Sequence, residues 1–289
     1  MERVLLAGAT GYLGRYVAHE LKRRGFLVSA VVRNASRLTA QERELYEVIE
    51  AEVTNPESLS ACCEGVDAVI STVGITRQKD GLTYMDVDYQ ANMNLLQQAK
   101  QSGVRKFIYV SALNGDTLKH LKIFQAKEAF VEQLKSSGLD YCVIRPNGFF
   151  SDMSEIYHMA KKGRVYLFGD GKLRGNPIHG EDLAEVCIDA IAGAEKVVNV
   201  GGPQTLSQND IAMTAFQVLG KTAKVTHIPD WCRVAACKLL TTLTSSKFYG
   251  PFEFFLTVMG IEMVAPQYGR HTLKDYYLSL NEEESKASS

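Results

Sequence analysis

Short apolar segments alternate with longer amphipathic segments through the first half of the chain. The apolar segments, which we expect to be β-strands, span residues 4–7, 27–32, 46–51, 68–72, 107–111 and 141–144. Several of them, such as Ala68-Val69-Ile70, lack the polar alternation of a half-exposed strand. Continuous apolar segments of this length are typical of strands that are buried on both faces of a parallel sheet.

The segments between these strands have the periodicity of helices. In residues 11–24, Leu13, Val17 and Leu21 recur every four positions and form one apolar stripe. Further helices are expected at residues 89–101 and 125–137, and Asn55-Pro56 has the pattern of a helix start. Alternating strands and helices imply right-handed crossovers. The pattern predicts an α/β fold with a Rossmann-type, doubly wound parallel sheet.

A glycine-rich motif lies directly between the first strand and the first helix. It reads Gly8-Ala9-Thr10-Gly11-Tyr12-Leu13-Gly14, with glycine at every third position. Glycine at these positions lets the backbone turn sharply and approach a pyrophosphate, while the helix N-terminus offers unpaired N–H groups and a positive dipole end. The strand and helix on either side are the context that this motif requires. The motif predicts a dinucleotide site.

An arginine follows the second strand, where NAD-preferring sites usually carry an acidic residue. Arg33, with Arg37 four positions later, offers charge-assisted hydrogen bonds to a 2′-phosphate. The alternative is a pair of ordinary solvated surface arginines. The arginines favour NADP(H) as the cofactor.

The regular alternation ends after Arg145-Pro146, and the rest of the chain is expected to be a small helix-rich cap. We expect a helix at 152–162, an extended segment at 164–168, a strand at 197–200, and a helix opened by a capping box of Ser207 and Asp210. The predicted domains are an NAD(P)-binding domain, residues 1–150 plus about 176–200, and a substrate-side cap, residues 151–175 and 201–289. The polar residues 282–289 are expected to be disordered.

The charge and hydropathy of the chain restrict its partners. A formal net charge of −1 leaves no basic excess for a phosphate backbone, so we expect no nucleic-acid partner. No signal peptide is expected, because residues 1–3 lead directly into the first strand. The most apolar region, 231–266, is interrupted by charged residues and by Gly250-Pro251, which predicts amphipathic helices and no integral membrane segment. Contact of this cap region with a partner protein or a membrane surface stays an open alternative.

The cysteine and histidine spacing indicates neither disulfides nor a metal site. The six cysteines include no C-x-x-C pair, and several lie in apolar segments. Free, buried thiols in a reducing compartment account for this pattern, which favours a cytoplasmic location. Neither H-x-x-x-H nor H-E-x-x-H occurs, so no metal site is expected.

Several segments together resemble one protein family, the atypical short-chain dehydrogenase/reductase proteins, including the NmrA-like group. The segments are the glycine motif, residues 52–56, 65–70 and 137–146. Within that family the similarity is closest to divinyl chlorophyllide reductases. The segments that match them are residues 124–127, 145–150, 168–173, 201–203 and 268–273. The resemblance implies an oxidoreductase of small molecules.

The resemblance also assigns roles to individual residues. Glu52 and Val53 match the lining of the adenine pocket. Ser71, Thr72, Val73 and Gly74 match the lining of the middle of the cofactor, and Pro146 and Asn147 are further cofactor-binding candidates. Ser111 matches the active-site serine, and Lys127 matches the lysine that holds the nicotinamide ribose.

The sequence departs from the family pattern at one catalytic position. The tyrosine expected four residues before Lys127 is Ile123, and no tyrosine occurs between Tyr109 and Tyr141. Carbonyl reduction by a Tyr-Lys pair requires a phenol next to the reacting oxygen, whereas hydride addition to a conjugated C=C bond can take its proton from elsewhere. Divinyl chlorophyllide reductases also lack this tyrosine. The resemblance therefore leaves two functions open. One is an NADPH-dependent reductase of an unsaturated or carbonyl-bearing hydrophobic molecule, and the other is a non-catalytic NAD(P)H-binding sensor or assembly factor.

Ordinary structural roles stay open for several candidates. Lys127 has the alternative of a solvated lysine on an amphipathic helix, and Ser111 that of a common strand-end residue. His179, Glu181 and Asp182 fit the acidic first turn of a helix better than a catalytic cluster. The cap aromatics could line a substrate pocket or fill the core of the cap. They are Phe149, Phe150, Trp231, Phe252, Phe254 and Phe255.

Overall fold

A seven-stranded sheet forms the centre of the computed structural model. The structure describes residues 1–76, 78 and 81–287, without the side chains of Arg37, Ser246, Lys247 and Ala287. The strands of the described chain are β1 (Arg3–Ala7), β2 (Leu27–Val32), β3 (Glu47–Glu50), β4 (Ala68–Ser71), β5 (Lys106–Val110), β6 (Asp140–Pro146), β7 (Val165–Phe168), β8 (Arg174–Gly175), β9 (Val197–Val200), β10 (Leu206–Ser207) and β11 (Val225–Ile228).

The order of strands in this sheet is that of a doubly wound fold. The order is β3-β2-β1-β4-β5-β6-β9, and each pair from β3 to β6 is parallel. The chain reverses its direction of winding between β1 and β4, which lie side by side although β2 and β3 separate them in sequence. In open α/β sheets, ligands bind outside the carboxyl ends of the strands at such a switch point. The predicted Rossmann-type fold is confirmed.

Helices connect these strands and make up most of the second half of the described chain. They are α1 (Tyr12–Arg23), α2 (Ala40–Leu45), α3 (Asn92–Gln101), α4 (Lys122–Lys135), α5 (Phe150–Lys161), α6 (Gly180–Ala192), α7 (Gln208–Val218), α8 (Asp230–Leu243), α9 (Ser246–Val258) and α10 (Leu273–Ala287). A π-helical segment, Met85–Ala91, leads into α3. No helix of the described residues is long and apolar enough to cross a membrane.

The chain divides into two compact units, each with its own core. The first unit contains Met1–Arg145 and Leu183–Val198, and its apolar side chains from β1, β4 and β5 are fully buried. The second contains Pro146–Asp182 and Asn199–Ser289. Its core is made by α5, α7, α10 and β7, with Tyr157, Phe216 and Tyr277 among the buried residues.

The elements agree with the sequence pattern except at one helix start and at the C-terminal end. The strand at 197–200 and the Ser207–Asp210 capping box are confirmed. Asn55-Pro56 starts only a single 3-10 turn, Pro56–Leu59. The expected disorder of 282–289 is wrong for residues 282–287, which belong to α10. Tertiary contacts explain why this segment is helical, because Glu284 pairs with His158 and Lys161 of α5. Residues 288 and 289 lie outside the described residues.

Candidate functional site

The three glycines of the motif after β1 differ in how strongly the fold requires glycine at their positions. Gly8 has a φ of +87°, and a Cβ there would lie 2.4 Å from Thr72 Oγ1. At Gly14 a Cβ would lie 2.0 Å from the Gly8 carbonyl oxygen, so the close approach of helix and loop requires glycine. Gly11 has φ −75° and ψ 170°, and a Cβ there meets only that same oxygen, at 3.3 Å. The fold itself therefore needs Gly8 and Gly14, whereas a Cβ at Gly11 would make one tight contact that a shift of a few tenths of an ångström relieves.

The first turn of α1 offers donors to an anion. Gly11 is its N-cap and supplies no side chain to the first N–H groups of the helix, while the Gly11 N–H donates to Gly8 O at 3.0 Å. Thr10 is exposed and Tyr12 is half-buried, but Leu13 packs in the core, so only its backbone can face a ligand. Backbone N–H groups and a helix dipole at such a position are the features with which proteins bind a pyrophosphate.

The end of β4 lies next to this loop and uses its own polar side chains internally. The Ser71 hydroxyl donates to Asn92 Oδ1 at 2.6 Å, and the Thr72 hydroxyl donates to Ala7 O at 3.1 Å. Val73 is buried, whereas Gly74 is exposed. These side chains hold the β4 edge against β1 and α3, which leaves backbone and Gly74 to face a cofactor.

The predicted adenine-side residues lie at the ends of β2 and β3. Arg33 is exposed and forms no ion pair with the residues that the structure describes. The Arg37 side chain lies outside the described residues. Val53 packs against the core of the first unit, and its carbonyl accepts a hydrogen bond from Asn94. Glu52 is half-buried and accepts from the Thr54 N–H at 3.3 Å.

Lys127 is buried on α4 and pairs with an aspartate that the sequence analysis did not select. Its Nζ lies 2.8 Å from Asp88 Oδ1 and 5.7 Å from the centre of the Tyr109 ring. Burial by itself lowers the pKa of Lys127, but the charges and hydrogen bonds of Asp88 and Tyr109 together outweigh it and leave this pKa above its ordinary value. Burial raises the pKa of Asp88, and Lys127 partly offsets that rise. Lys127 is therefore a protonated ammonium, unlike a solvated surface lysine.

The Lys127–Asp88 pair lies directly beneath Gly74. A Cβ on Gly74 would lie 2.7 Å from Asp88 Oδ1 and 2.9 Å from Lys127 Nζ. The buried Tyr109 hydroxyl has no hydrogen-bond partner among the described residues, while the second Asp88 oxygen, Oδ2, accepts from the Ile75 N–H at 3.3 Å. An exposed glycine thus covers a buried ion pair and a phenol that lacks a hydrogen bond. This is the arrangement expected where a ligand completes the polar contacts.

Ser111 contacts a second buried ion pair. One partner of this pair is Glu128, the residue that follows Lys127. Arg145 donates to Glu128 through both terminal nitrogens, at 2.8 and 2.7 Å. The Ser111 hydroxyl donates to Glu128 Oε1 at 3.3 Å. A Cβ on Gly115 would lie 2.5 Å from the same carboxylate oxygen, so this pair is closed over by backbone. Ser111 and Lys127 thus each have a different partner.

Asn147 occupies a junction in the second unit. Its Nδ2 donates to Asn176 Oδ1 at 2.8 Å and to Met263 O at 2.5 Å, and its Oδ1 accepts from Gly148 N. All its side-chain groups are thereby engaged by the fold. Pro146, which precedes it, is buried at the end of β6.

The structure also brings together histidines that are distant in sequence. Ligand atoms of His179, Glu181 and His271 lie within 4.8 Å of one another. Asp182 is buried, lies 2.7 Å from His271 Nδ1, and accepts from the N–H groups of Arg270 and His271. Spacing motifs could not reveal this cluster, because Asp182 and His271 are 89 positions apart. The hydrogen bonds of Asp182 attach the segment before α10 to the start of α6.

The cap aromatics do not gather around one pocket in the second unit. Phe150 is buried in the core of the unit, whereas Trp231, Phe252 and Phe255 are exposed. Phe149 is half-buried at the start of α5.

Comparison with known proteins agrees with this geometry. A family model described as NAD(P)H-binding matches residues 8–194, which include the glycine motif, Arg33 and Lys127. A chloroplastic divinyl chlorophyllide a 8-vinyl-reductase from Zea mays is 30% identical over 95% of this chain and 78% of that protein. The photosystem II assembly factor Ycf39 of Trieres chinensis is 26% identical over 78% of this chain and 72% of that protein.

A solved structure shows the same fold. The NADPH-dependent quinone oxidoreductase QOR2 of Escherichia coli, crystallised with NADPH, matches with a TM-score of 0.71 at 19% identity. The match covers 96% of this chain and 99% of that one. The loop at the switch point and the helix N-terminus agree with the family match. The resemblance to divinyl chlorophyllide reductases is confirmed. The chain belongs to the NAD(P)H-binding family of Rossmann-type proteins.

Proposed function

We propose that this protein is an NADPH-dependent reductase of an unsaturated or carbonyl-bearing hydrophobic small molecule. Reduction of a conjugated vinyl group, as named for the maize relative, is the first reaction to test. The observation that carries this proposal is the buried, protonated Lys127 beneath the exposed Gly74, with Ile123 where a catalytic tyrosine would stand. With Ile123 at that position, Lys127 has no tyrosine there to activate, but its positive charge can orient a cofactor.

The residues of the first unit fit a nicotinamide dinucleotide. When bound, this cofactor supplies a hydride. Backbone N–H groups of the first turn of α1 would hold its pyrophosphate where Gly11 leaves space. Lys127, fixed by Asp88, would donate to the ribose next to the nicotinamide. Arg33, exposed at the end of β2, would pair with the 2′-phosphate.

The protein residues indicate how the reduction is completed. Addition of a hydride to one carbon of a conjugated C=C bond leaves a carbanion that needs one proton. Ile123 cannot provide it. Tyr109 is fully buried and its pKa is raised by that burial, which makes its hydroxyl a poor acid. Ser111 donates to Glu128. We therefore propose that the proton comes from water, and that the protein contributes binding and orientation.

A second candidate function is that of a non-catalytic cofactor-binding protein. Ile123 in place of the tyrosine and the similarity to an assembly factor favour it. Under that reading the partner would be a protein rather than a substrate. For either function the cytoplasmic location stays a proposal, based on the six free cysteines, while the name of the maize relative places that protein in the chloroplast.

Oxidation of NADPH by the purified protein separates the two functions. The acceptors are divinyl chlorophyllide, simple enones and quinones, and the variants are Lys127→Ala and, as matched control, Lys122→Ala, an exposed lysine on the same helix. We expect turnover with one acceptor class, a loss of about 10²-fold in Lys127→Ala, and no change in Lys122→Ala. Saturable NADPH binding without turnover on any acceptor would contradict the reductase and support the second function.

A further inference from the structure

Exposed hydrophobic side chains of the described chain are concentrated in two consecutive helices. Fifteen large hydrophobic residues are exposed in the described chain, and seven of them lie within α8 and α9. They are Trp231, Val234, Leu239, Leu243, Phe248, Phe252 and Phe255. Trp231 is 70% exposed and Leu243 is 72% exposed, and α8 contributes no buried residue at all. A concentration of this kind marks an interaction surface rather than the scattered exposure of an ordinary protein surface.

The exposed residues form one stripe on each helix. On α8 the exposed positions are 230, 231, 234, 235, 238, 239, 242 and 243, and the last seven have the three-four spacing of a single helix face. On α9 the exposed phenylalanines are at 248, 252 and 255, with the same spacing. A helix of a globular protein normally buries such a stripe, whereas α8 and α9 present it outward. We call these two faces the α8–α9 stripes.

The threonine hydroxyls of α8 and its C-terminus, and Arg233, bond within the two helices. Thr241 and Thr244 donate their hydroxyls to the carbonyls of Lys238 and Leu240, at 3.1 and 2.8 Å, and Thr242 also donates to Lys238 O. Arg233 donates to Asp230 and, at 2.9 Å, to Leu256 O of α9. Threonine hydroxyls turned back onto helix carbonyls avoid unpaired polar groups in a medium without water.

The one charged side chain within the stripes is basic. Lys238 lies in the α8 stripe, and the α9 stripe consists of phenylalanines. Asp230, exposed at the first position of α8, is neutralised by its ion pair with Arg233 at 2.7 Å. A lysine in an apolar face can bury its methylene groups and place its ammonium among anionic headgroups. The two helices have 14 and 13 residues, too short to cross a bilayer but suited to lie in its interfacial layer.

From these observations we propose that the α8–α9 stripes insert into the interfacial layer of a membrane that carries anionic lipid headgroups. A protein partner or a second copy of the chain fits less well. Protein interfaces usually place polar groups around the apolar centre to bond across the contact. In α8 the threonine hydroxyls bond to the backbone of their own helix instead. The proposal concerns the second unit and does not depend on the proposed function.

The test uses the full chain and its single tryptophan, which lies in the α8 stripe. Fluorescence of Trp231 is followed while the protein is titrated with phosphatidylcholine vesicles, with or without phosphatidylglycerol. Flotation of the same mixtures measures binding. We expect a blue shift of the emission and quenching by brominated lipid, both stronger with phosphatidylglycerol and weaker at high salt.

Paired variants decide whether the α8–α9 stripes are responsible for vesicle binding. Leu239→Glu with Phe252→Glu should reduce vesicle binding about tenfold or more, and Lys238→Glu should remove the preference for phosphatidylglycerol. Met213→Glu with Tyr166→Glu adds the same charge at two exposed hydrophobic residues outside these helices and should leave binding unchanged. Absence of vesicle binding by the native chain would overturn the proposal. It would also be overturned by a blue shift that depends on protein concentration without lipid and accompanies dimer formation.

Discussion

Two buried ion pairs on consecutive residues of α4 have opposite characters. Glu128 and Arg145 form a bidentate pair that also takes the Ser111 hydroxyl and is closed over by Gly115. Lys127 and Asp88 form a single contact of 2.8 Å beneath the exposed Gly74, next to the Tyr109 phenol, which lacks a hydrogen bond in the described chain. Burial and charge are alike in the two pairs, while the completeness of their hydrogen bonds differs.

The difference separates a structural charge from one available to a ligand. A bidentate pair with all its oxygens engaged has nothing left to offer and serves to fix β6 against α4. The incomplete pair, in which the ammonium of Lys127 has one carboxylate contact, keeps a protonated amine next to the exposed Gly74. Lys127 thus stays the predicted residue for orienting the cofactor, whereas Ser111 has the contacts of a structural residue.

The largest effect is expected when the complete pair is broken. Arg145→Ala leaves the Glu128 carboxylate buried without its partner, which typically costs about 3–5 kcal/mol of unfolding free energy. Urea denaturation measures this loss, and the fraction that remains folded should bind NADPH normally. A loss below about 1 kcal/mol would show that the pair contributes little to the fold.

A smaller effect on stability, with a new pH dependence, is expected at the incomplete pair. Asp88→Asn removes the charge that keeps the pKa of Lys127 above its ordinary value of 10.5, so burial should bring this pKa below that value. The native pair contributes stability below pH 10.5 that is lost as the pH rises through the folded pKa. We expect a loss of about 1–3 kcal/mol at neutral pH and a decline of turnover in the alkaline range that the native protein does not show. Identical pH profiles would contradict the assignment of Asp88 as the residue that positions Lys127.

The smallest effect is expected at Arg33, a charge that is neither buried nor paired in the described chain. Arg33→Asp should leave stability unchanged, because exposed substitutions usually fall within about 0.5 kcal/mol. It should weaken NADPH about tenfold or more and NADH far less, since only NADPH carries the 2′-phosphate. Binding of both cofactors is measured by calorimetry. Equal losses for the two would remove the argument for selectivity.

The local parts of the fold and site could be predicted from the sequence. The glycine motif, Arg33 and the buried strands are defined by residues that are adjacent or regularly spaced, and the periodicity of each segment reports its burial. The Ser207–Asp210 capping box is local in the same sense.

The partners of the charged residues could not be predicted, because tertiary packing brings them together. Glu128 and Arg145 are 17 positions apart on different elements, and Asp182 and His271 are 89 positions apart. The acidic end of α10 was mistaken for a disordered tail because its partners, His158 and Lys161, lie on α5. Asp88 gave one signal that could have been used, an acidic residue among the apolar positions that lead into α3.

The central claim is that the loop after β1 holds the pyrophosphate of a nicotinamide dinucleotide, and Gly11→Ala tests it most directly. A Cβ at Gly11 meets only the Gly8 carbonyl oxygen, at 3.3 Å, and the backbone there suits any residue. Alanine should therefore require only a small shift of the Gly8 carbonyl, whereas the pyrophosphate should not accommodate the added methyl group. Calorimetric titration with NADPH should show binding to the native chain and a loss of about tenfold or more in Gly11→Ala, with a melting temperature lowered by no more than about 5 °C. Equal affinity in the two proteins, or no binding to the native chain, would contradict the account.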